Sequence, residues 1–268
     1  MPDASTLDAT EKLHYAVEDH LARVTIDRPE KHNAMDPEIY RALSEAWIEI
    51  RDDPDVRVAL VTGAGEEAFS AGADLEQTIT PGERGWDEFW RTQAEPILNN
   101  GLEVWKPVVA AVNGYCLAGG LTLLLATDIR IAGEDATFGL SEVKRGILPG
   151  NGGTQRTIRQ LPDVIAKELL LTGDPVDAEE AARWGLVNEV VPPEDVVSTA
   201  EAYAQRLLEN APLAMQAIKE LAVRGRDLPL DEGIRLEESF QRHLWETDDA
   251  VEGVEAFRED REPEWRAQ

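Results

Sequence analysis

Two periodicities of apolar residues organise the beginning of the chain. Residues 13 to 27 alternate apolar and polar positions around a polar turn, which predicts a β-hairpin. The pair Asp36-Pro37 then opens a segment whose apolar residues recur every three or four positions, which predicts an amphipathic helix. These residues are Ile39, Leu43, Trp47 and Ile50.

Three short apolar runs farther along predict strands buried on both faces. They are "VRVALVTG", "PVVAAVNG" and "DIRIAG", and each ends in glycine. Repetition of this design predicts an α/β fold in which several strand-then-helix units share one parallel core.

Helical patterns dominate from residue 162 onward. Asp177 is expected to cap "AEEAARW", Gly185 to end it, and "LVNEVVP" to form one more strand. Helical segments follow at residues 193 to 210, 212 to 225 and 231 to 260. The last segment carries an apolar face that needs either the main domain or a neighbouring subunit to pack against.

An uncharged stretch between Lys106 and Asp128 is long enough to raise the possibility of a membrane span. Two turns, at Asn113-Gly114 and Gly119-Gly120, break it into a strand and a short helix, so a buried core is favoured. Residues 77 to 92 contain Trp86, Phe89 and Trp90, and predict either a helical lid or a helix with a buried aromatic face.

Charge narrows the choice of partners and environment. The formal net charge is -27, with 26 basic and 53 acidic residues, which disfavours nucleic acid and anionic membranes. The acidic excess is typical of a halophilic protein, or simply of an acidic one. A single cysteine and the absence of an N-terminal signal pattern indicate a cytoplasmic protein.

Candidate chemistry comes from two turns of small residues and one carboxylate. Glycines in "FSAGADL" and "CLAGGL" let two backbone amides approach one ligand oxygen, although such turns also serve only to reverse a chain. Glu142, near Leu140 and Val143, is either a buried base or an exposed partner of Lys144 or Arg145. The stretch "GNGGTQR" lacks the ending of a nucleotide loop.

Other site classes find no support in the sequence. The four histidines (His14, His20, His32 and His243) fit neither a metal site nor a serine-hydrolase triad. Cys116 is expected to be a small core residue.

Several motifs, spread from about residue 12 to the end of the chain, resemble those of the enoyl-CoA hydratase/isomerase (crotonase) superfamily. They are "FSAGADL", "KPVVAAVNGYCLAGG", "DIRIAGEDATFGLSEVKRGILPGNGGTQR", "LTGDPVDAEEAARWGLVNEVVP" and "EGVEAFREDREPEW". The resemblance implies a spiral of strand-strand-helix turns over residues 1–200 and a helical oligomerisation region over 201–268. It also implies a homotrimer or a hexamer built as a dimer of trimers.

Site residues follow from the same resemblance. The amides of Ala73 and Gly119 would hold the thioester carbonyl of an acyl-CoA, with Glu142 as the catalytic acid or base. The remaining residues implied to border the substrate or its CoA moiety are Arg28, Ala71, Asp74, Leu75, Thr122 and Gly150. Coenzyme A enters as part of the substrate, and no separate cofactor or metal is expected.

One position departs from the family's hydratases, which use two glutamates. Glu142 occupies the second position, whereas Thr122 occupies the first. Threonine cannot accept a proton near neutral pH, and moving a double bond needs only one base. The sequence therefore favours an enoyl-CoA isomerase of fatty acid metabolism such as β-oxidation, with a hydratase and a non-catalytic acyl-CoA binder as alternatives. An RNA-binding role is disfavoured by the charge.

Overall fold

The computed structural model describes residues 11–78 and 96–268. Ten strands are present in this part of the chain. They are β1 (Leu13–Glu18), β2 (Leu21–Ile26), β3 (Val58–Gly63), β4 (Ala68–Ser70), β5 (Val108–Val112), β6 (Tyr115–Leu117), β7 (Ile129–Gly133), β8 (Thr137–Gly139), β9 (Val176–Asp177) and β10 (Glu189–Val191).

The same residues form ten α-helices. They are α1 (Pro37–Asp52), α2 (Leu75–Thr78), α3 (Gly119–Leu124), α4 (Gly153–Gln160), α5 (Asp163–Thr172), α6 (Ala178–Arg183), α7 (Val196–Leu208), α8 (Pro212–Arg224), α9 (Leu230–Trp245) and α10 (Asp248–Glu259). A 3-10 helix at Ser141–Arg145 lies between β8 and α4.

The strands belong to two sheets. Six strands pair in the order β1-β2-β3-β5-β7-β10, and four pair in the order β4-β6-β8-β9. Consecutive strands β3 and β4, β5 and β6, and β7 and β8 each place one strand in either sheet. The chain therefore advances as a spiral of strand-strand units, and the turns that follow the short strands β4 and β6 come together at one place.

The long sheet has the parallel core that the apolar runs predict. Its strands are parallel except for the antiparallel β1-β2 hairpin. All six residues of β3 and all five of β5 are buried. One layer of the core lies against α1, whose buried face includes Ile39, Leu43 and Trp47, and Asp36 caps this helix by accepting from the Ile39 amide.

Most elements predicted from the sequence are confirmed, with two differences. The hairpin, α1, the three parallel strands, α6 with its Asp177 cap and β10 lie where expected. The segment 231 to 260 forms two helices, because Thr247 accepts from the Ala250 amide and starts a new helix. Apolar runs do not predict the four-stranded sheet, because its strands β4, β6 and β8 have only three residues each.

The C-terminal helices leave apolar side chains in solvent. Leu230 is 78% exposed, Trp245 69% and Phe257 88%. In contrast, α7 packs against the long sheet through Val196, Ala200 and Ala204, which are fully buried. The predicted boundary at residue 200 falls inside α7, and it stays a prediction.

The uncharged stretch after Lys106 becomes β5, β6 and α3, as the turn signals predict. Within residues 11–78 and 96–268, every helix is too short or too polar to cross a bilayer. The aromatic segment at 77 to 92 lies almost wholly outside the described residues, so the choice between a lid and a buried helix stays open.

Candidate active site

The two turns of small residues, one after β4 and one after β6, are in contact. A methyl group built on Gly72 would lie 2.7 Å from the amide nitrogen of Gly119, and one built on Gly119 would lie 3.3 Å from the amide nitrogen of Ala73. Gly72 has a φ of +93°, a conformation that favours glycine. The spiral therefore brings the turn after β4 and the turn after β6 into direct contact.

Backbone pairing leaves the Ala73 amide free to serve a ligand. Met35 donates to the carbonyl of Gly72 and accepts from the amide of Asp74, so residues 35 and 73 form a parallel bridge. In such a bridge the N–H of the central residue points away from the partner strand. Among the described residues, neither the Ala73 nor the Gly119 amide has a hydrogen-bond acceptor.

Ala118, which precedes Gly119, is held in a strained conformation. Its φ of 49° and ψ of -120° are rare for a residue with a side chain. Strain of this kind costs about 1–3 kcal/mol and is concentrated at functional sites. Its amide donates to the Gly139 carbonyl at 2.7 Å, which anchors the turn to β8. The helix that follows, α3, has only six residues. The local Gly119 amide would therefore stabilise a negative oxygen more than a helix dipole would.

The Ala73 turn is anchored by polar residues that the sequence analysis did not single out. The Asn33 side chain donates to the Ala68 carbonyl at 2.6 Å, and the Ser70 hydroxyl donates to the Asn33 carbonyl at 2.8 Å. The same Ser70 oxygen accepts from the Gly72 amide at 3.1 Å. Only the tertiary structure reveals these contacts, because residues 33 and 70 are distant in sequence.

Glu142 is the carboxylate of this region. The sequence allows it to be either a buried base or an exposed partner of Lys144 or Arg145, and its surroundings distinguish the two. Its Oε2 atom is buried and has no hydrogen-bond partner. Lys144 instead pairs with Asp174 at 2.6 Å, and Arg145 donates to Ser141. Burial raises the pKa of Glu142 above its ordinary value. Glu142 therefore forms no ion pair with Lys144 or Arg145, and the direction of its pKa shift is the one that favours a proton acceptor.

Tyr40 connects Glu142 with the two turns. Its hydroxyl lies 3.1 Å from the position of a methyl group built on Gly119. Burial, and secondarily the nearby charge of Glu142, raise the pKa of Tyr40 to about 12. Tyr40 is therefore a protonated phenol close to both the Gly119 amide and the carboxylate. The sequence does not predict this position for Tyr40, because a tyrosine on an amphipathic helix gives no distinguishing signal.

Thr122 lies on α3, three residues beyond Gly119, and is 2% exposed. Its Oγ1 atom has no hydrogen-bond partner, and it lies 2.6 Å from the position of a methyl group on Gly153. The position that the resemblance implies for the family's first glutamate holds a buried hydroxyl, which packs against the start of α4.

Arg28 and Asp74 form an ion pair at 2.7 Å, and both side chains are largely buried. The Arg28 guanidinium holds the pKa of Asp74 below its usual range. This pair ties the segment before α1 to the Ala73 turn. Contact of either side chain with CoA stays a prediction.

The other residues expected near CoA lie on the rim. The Ala71 amide donates to the His32 carbonyl, Leu75 is 40% exposed, and Gly150 is exposed with open space around its Cα. The structure brings Ala71 and Leu75 close to the Ala73 amide through chain connectivity alone. Their contact with CoA also stays a prediction.

A cavity adjoins the Gly119 amide between α1 and α3. The residues that line it are Met35, Tyr40, Leu43, Trp47, Ile97, Asn99, Gly119 and Leu123. Its accessible volume is about 10 Å³, which is room for about one water molecule.

The described residues offer no site for a metal ion or for a reactive cysteine. No group of three or more His, Cys, Asp or Glu side chains there is arranged to hold a metal ion. Cys116 is fully buried, and burial raises the pKa of its thiol, which keeps it protonated and unreactive.

Comparison with known proteins identifies the family of this chain. The model of the enoyl-CoA hydratase/isomerase family matches residues 16–268. The chain is 44% identical to (E)-benzylidenesuccinyl-CoA hydratase of Thauera aromatica, across 93% of this chain and 97% of the relative. It is 40% identical to carnitinyl-CoA dehydratase of Salmonella enteritidis, across 96% and 99%.

Solved structures show the same fold. Enoyl-CoA hydratase from Bacillus anthracis superposes with a TM-score of 0.88 at 32% identity, and the match covers 96% of this chain and 100% of that one. The spiral of strand-strand units and the C-terminal helices are therefore those of the crotonase fold. The chain belongs to the enoyl-CoA hydratase/isomerase family of enzymes, for which the fitting substrate class is the acyl-CoA thioester.

Proposed function

We propose that the enzyme moves the double bond of an enoyl-CoA through a thioester enolate, with Glu142 as its base. The observations that carry this proposal are the contact between the two turns that hold the Ala73 and Gly119 amides, and the buried Oε2 atom of Glu142, which has no hydrogen-bond partner. Burial, and secondarily the charge of Glu142, raise the pKa of Tyr40, whose hydroxyl lies beside Gly119, and Gly119 contacts the Ala73 turn. A base beside an oxyanion site is what proton abstraction next to a thioester requires.

The two amides supply the electrostatic part of the reaction. The thioester oxygen accepts from the Ala73 and Gly119 N–H groups, and it gains negative charge as the enolate forms. Each preorganised donor of this type contributes about 3 kcal/mol to the transition state. The buried Ser70 and Asn33 contacts keep the Ala73 amide in place before substrate arrives.

Glu142 carries the proton. In a 3-enoyl-CoA, its carboxylate removes a proton from C2, and the C–H electron pair forms a dienolate that extends over the C3–C4 double bond. The same carboxyl group then returns the proton to C4, which leaves the double bond between C2 and C3. Neither water nor a second acid is consumed, which fits a site with Thr122 where hydratases of the family have their other glutamate.

Hydration and dehydration form the second candidate function. It is favoured by the names of two relatives, a hydratase at 44% identity and a dehydratase at 40%. In this reaction Glu142 would take a proton from water while the oxygen adds to C3, and it would then deliver that proton to C2 of the resulting thioester enolate. The partnerless Thr122 hydroxyl, or the Tyr40 phenol, would then hold the water in place of the missing carboxylate.

One experiment separates the two candidates. Purified enzyme is incubated with 3-enoyl- and 2-enoyl-CoA thioesters of equal chain length, and the products are identified by mass spectrometry. Isomerisation leaves the mass unchanged, whereas hydration adds one water. The proposal predicts conversion of 3-enoyl-CoA to 2-enoyl-CoA without mass gain; a dominant hydrated product would replace it by the second candidate.

The role of Glu142 is tested by Glu142→Gln, with the exposed Glu168→Gln as matched control. The first change is expected to lower kcat by at least about 10²-fold and to leave acyl-CoA binding nearly unchanged, while the control retains full activity. Turnover by Glu142→Gln at the wild-type rate would refute the base assignment.

We further propose a homotrimer or hexamer, because α9 and α10 expose an apolar face that a second subunit would cover. Phe257→Asp, at the most exposed of these side chains, should lower the mass measured by light scattering to that of a monomer. An unchanged mass would place the interface elsewhere. We also propose a cytoplasmic location and a role in fatty acid metabolism such as β-oxidation, and a chain with a single cysteine suits a reducing compartment.

A further inference from the structure

The turn that holds the Ala73 amide has a carboxylate on its next residue. Asp74 follows Ala73 directly, and consecutive Cα atoms are only about 3.8 Å apart. An oxygen that accepts from the Ala73 amide would therefore lie within about 10 Å of the Asp74 carboxylate. The proposed reaction places negative charge on that oxygen. A carboxylate so close to it, if its charge were not compensated, would repel the enolate.

Asp74 is buried, so solvent does little to weaken this repulsion. Its side chain is 7% exposed, and charges interact more strongly away from bulk water. Its Oδ1 atom accepts from the Glu76 amide at 3.1 Å, and its Oδ2 atom accepts from the Gln77 side chain at 3.2 Å. Both donors are neutral. They hold the carboxylate at the start of α2, but a cation is needed to compensate its charge.

Arg28 supplies this cation. Its Nη1 atom lies 2.7 Å from the Asp74 carboxylate, and its side chain is 11% exposed. The hydrogen bond between the two groups raises the pKa of Arg28 and lowers the pKa of Asp74, so both are ionised at neutral pH. The same Nη1 atom donates to the Ala34 carbonyl at 3.2 Å. Ala34 precedes Met35, whose backbone forms the bridge with Ala73.

The other carboxylates near Arg28 lie farther from it. Asp36 is 3.8 Å away, and it forms a shorter ion pair with Lys12 at 2.7 Å. Glu30 is 3.7 Å away and 69% exposed. Of these three carboxylates, only Asp74 lies within hydrogen-bonding distance of the Arg28 guanidinium. The positive charge of Arg28 is therefore directed mainly at the carboxylate beside the Ala73 amide.

We propose that Arg28 is a positioning residue of the reaction, whose positive charge compensates Asp74 and so allows the Ala73 amide to stabilise an enolate oxygen. At an effective dielectric constant of about 20, a unit charge within about 10 Å changes a rate by about tenfold or more. This inference rests on the proposed function, because it assumes negative charge on an oxygen held by the Ala73 amide. A role in CoA contact would instead change substrate binding.

The test removes the two charges separately and together. Arg28→Gln keeps an N–H donor for Asp74 but loses the positive charge, and it should lower kcat for 3-enoyl-CoA by about tenfold or more with KM nearly unchanged. The double variant Arg28→Gln/Asp74→Asn should regain most of that loss, since it also removes the negative charge. Arg28→Lys, which keeps a cation, should retain more activity than Arg28→Gln.

Two kinetic results would overturn the proposal. If the pair only cross-links the backbone, the double variant should be as slow as Arg28→Gln, because both partners are lost. If Arg28 serves CoA binding, Arg28→Gln should raise KM and leave kcat unchanged.

An infrared measurement examines the Ala73 amide without turnover. The ligand is hexanoyl-CoA, isotope-labelled at the thioester carbonyl carbon, which has no double bond to react. Stronger polarisation of the carbonyl lowers its stretching frequency. The wild-type enzyme should lower the frequency of the bound ligand, Arg28→Gln should lower it less, and the double variant should lower it more than Arg28→Gln does. If Arg28→Gln fails to fold, Asp74→Asn carries the test: its shift should be at least as large as that of the wild type, and a smaller one would overturn the proposal.

The matched control is Lys167→Gln, which removes the cation of an exposed ion pair with Asp163 on α5, at 2.8 Å. It should retain the wild-type kcat and frequency. Equal frequencies in wild type and Arg28→Gln would overturn the inference and leave the proposed function intact. A wild-type enzyme that hydrates 2-enoyl-CoA but shows the expected frequencies would replace the proposed reaction and keep the inference. Absence of any shift in the wild type would refute the oxyanion site and both proposals with it.

Discussion

Gly72→Ala tests the contact between the two turns most sharply. The added methyl carbon would lie 2.7 Å from the Gly119 nitrogen, 2.9 Å from the Ala118 methyl group and 2.9 Å from the Leu117 carbonyl oxygen. An oxygen that accepts from the Gly119 amide needs a separation of about 2.9 Å. The methyl group therefore competes with the thioester oxygen or pushes the two turns apart.

The expected loss of activity in Gly72→Ala is that of an enzyme without one oxyanion donor. Removing such a donor lowers kcat by about 10²–10³-fold, and kcat/KM should fall by a similar factor because the interaction develops in the transition state. The positive φ of +93° adds a stability cost of about 1–3 kcal/mol. A modest decrease in melting temperature is expected alongside the much larger loss of activity.

Gly185→Ala is the matched control. Gly185 has a φ of +75°, follows α6, and has no atom within 4 Å of an added methyl group. It should lose a similar amount of stability and retain wild-type kcat. The assay follows enoyl-CoA conversion at a temperature where both variants are folded. A folded Gly72→Ala enzyme with kcat within about threefold of wild type would refute the oxyanion geometry.

Three further predictions concern acid-base chemistry and charge. Because burial raises the pKa of Glu142, the native state binds a proton there more tightly than the unfolded chain; stability therefore falls as pH rises between the two pKa values. Glu142→Gln should melt higher than wild type at neutral pH, with the gap closing well below pH 4.5, and a gap independent of pH would contradict the shift. Thr122→Glu should raise the ratio of hydrated to isomerised product while Thr122→Gln does not, and equal changes in both would show that acidity at this position is irrelevant. With a net charge of -27, the melting temperature should rise steeply from low to molar KCl, whereas a flat curve would argue against a halophilic protein.

The sequence predicts those features that depend on local patterns. The buried strands β3, β5 and β7 follow from continuous apolar runs, and α1 follows from its Asp36 cap and apolar spacing. Glu142 is recognisable because apolar residues flank it. Gly72, Gly119 and their neighbours are recognisable because small residues follow buried strands.

What escapes prediction depends on contacts between distant segments. Three-residue strands such as β4 and β8 are too short to show a period, so the second sheet emerges only in three dimensions. Arg28 and Asp74 are 46 positions apart, and nothing local indicates that they pair. Tyr40 enters the site because α1 packs across the start of α3, a tertiary arrangement without a sequence motif.

Some of the missed features were nevertheless accessible from local chemistry. The sequence Thr247-Asp248-Asp249 has the composition of a helix start, and Thr247 does cap α10. A continuous apolar period across residues 231 to 260 masked this signal. The helix boundary in this segment therefore follows the capping residue and not the apolar period.

A crystal structure with an uncleavable acyl-CoA ketone analogue would test the central claim most directly. The account predicts that the carbonyl oxygen lies within about 3 Å of both the Ala73 and Gly119 nitrogens, with the Glu142 carboxylate adjacent to the neighbouring carbon. A carbonyl oxygen remote from either nitrogen, or a Glu142 side chain turned into solvent, would contradict it.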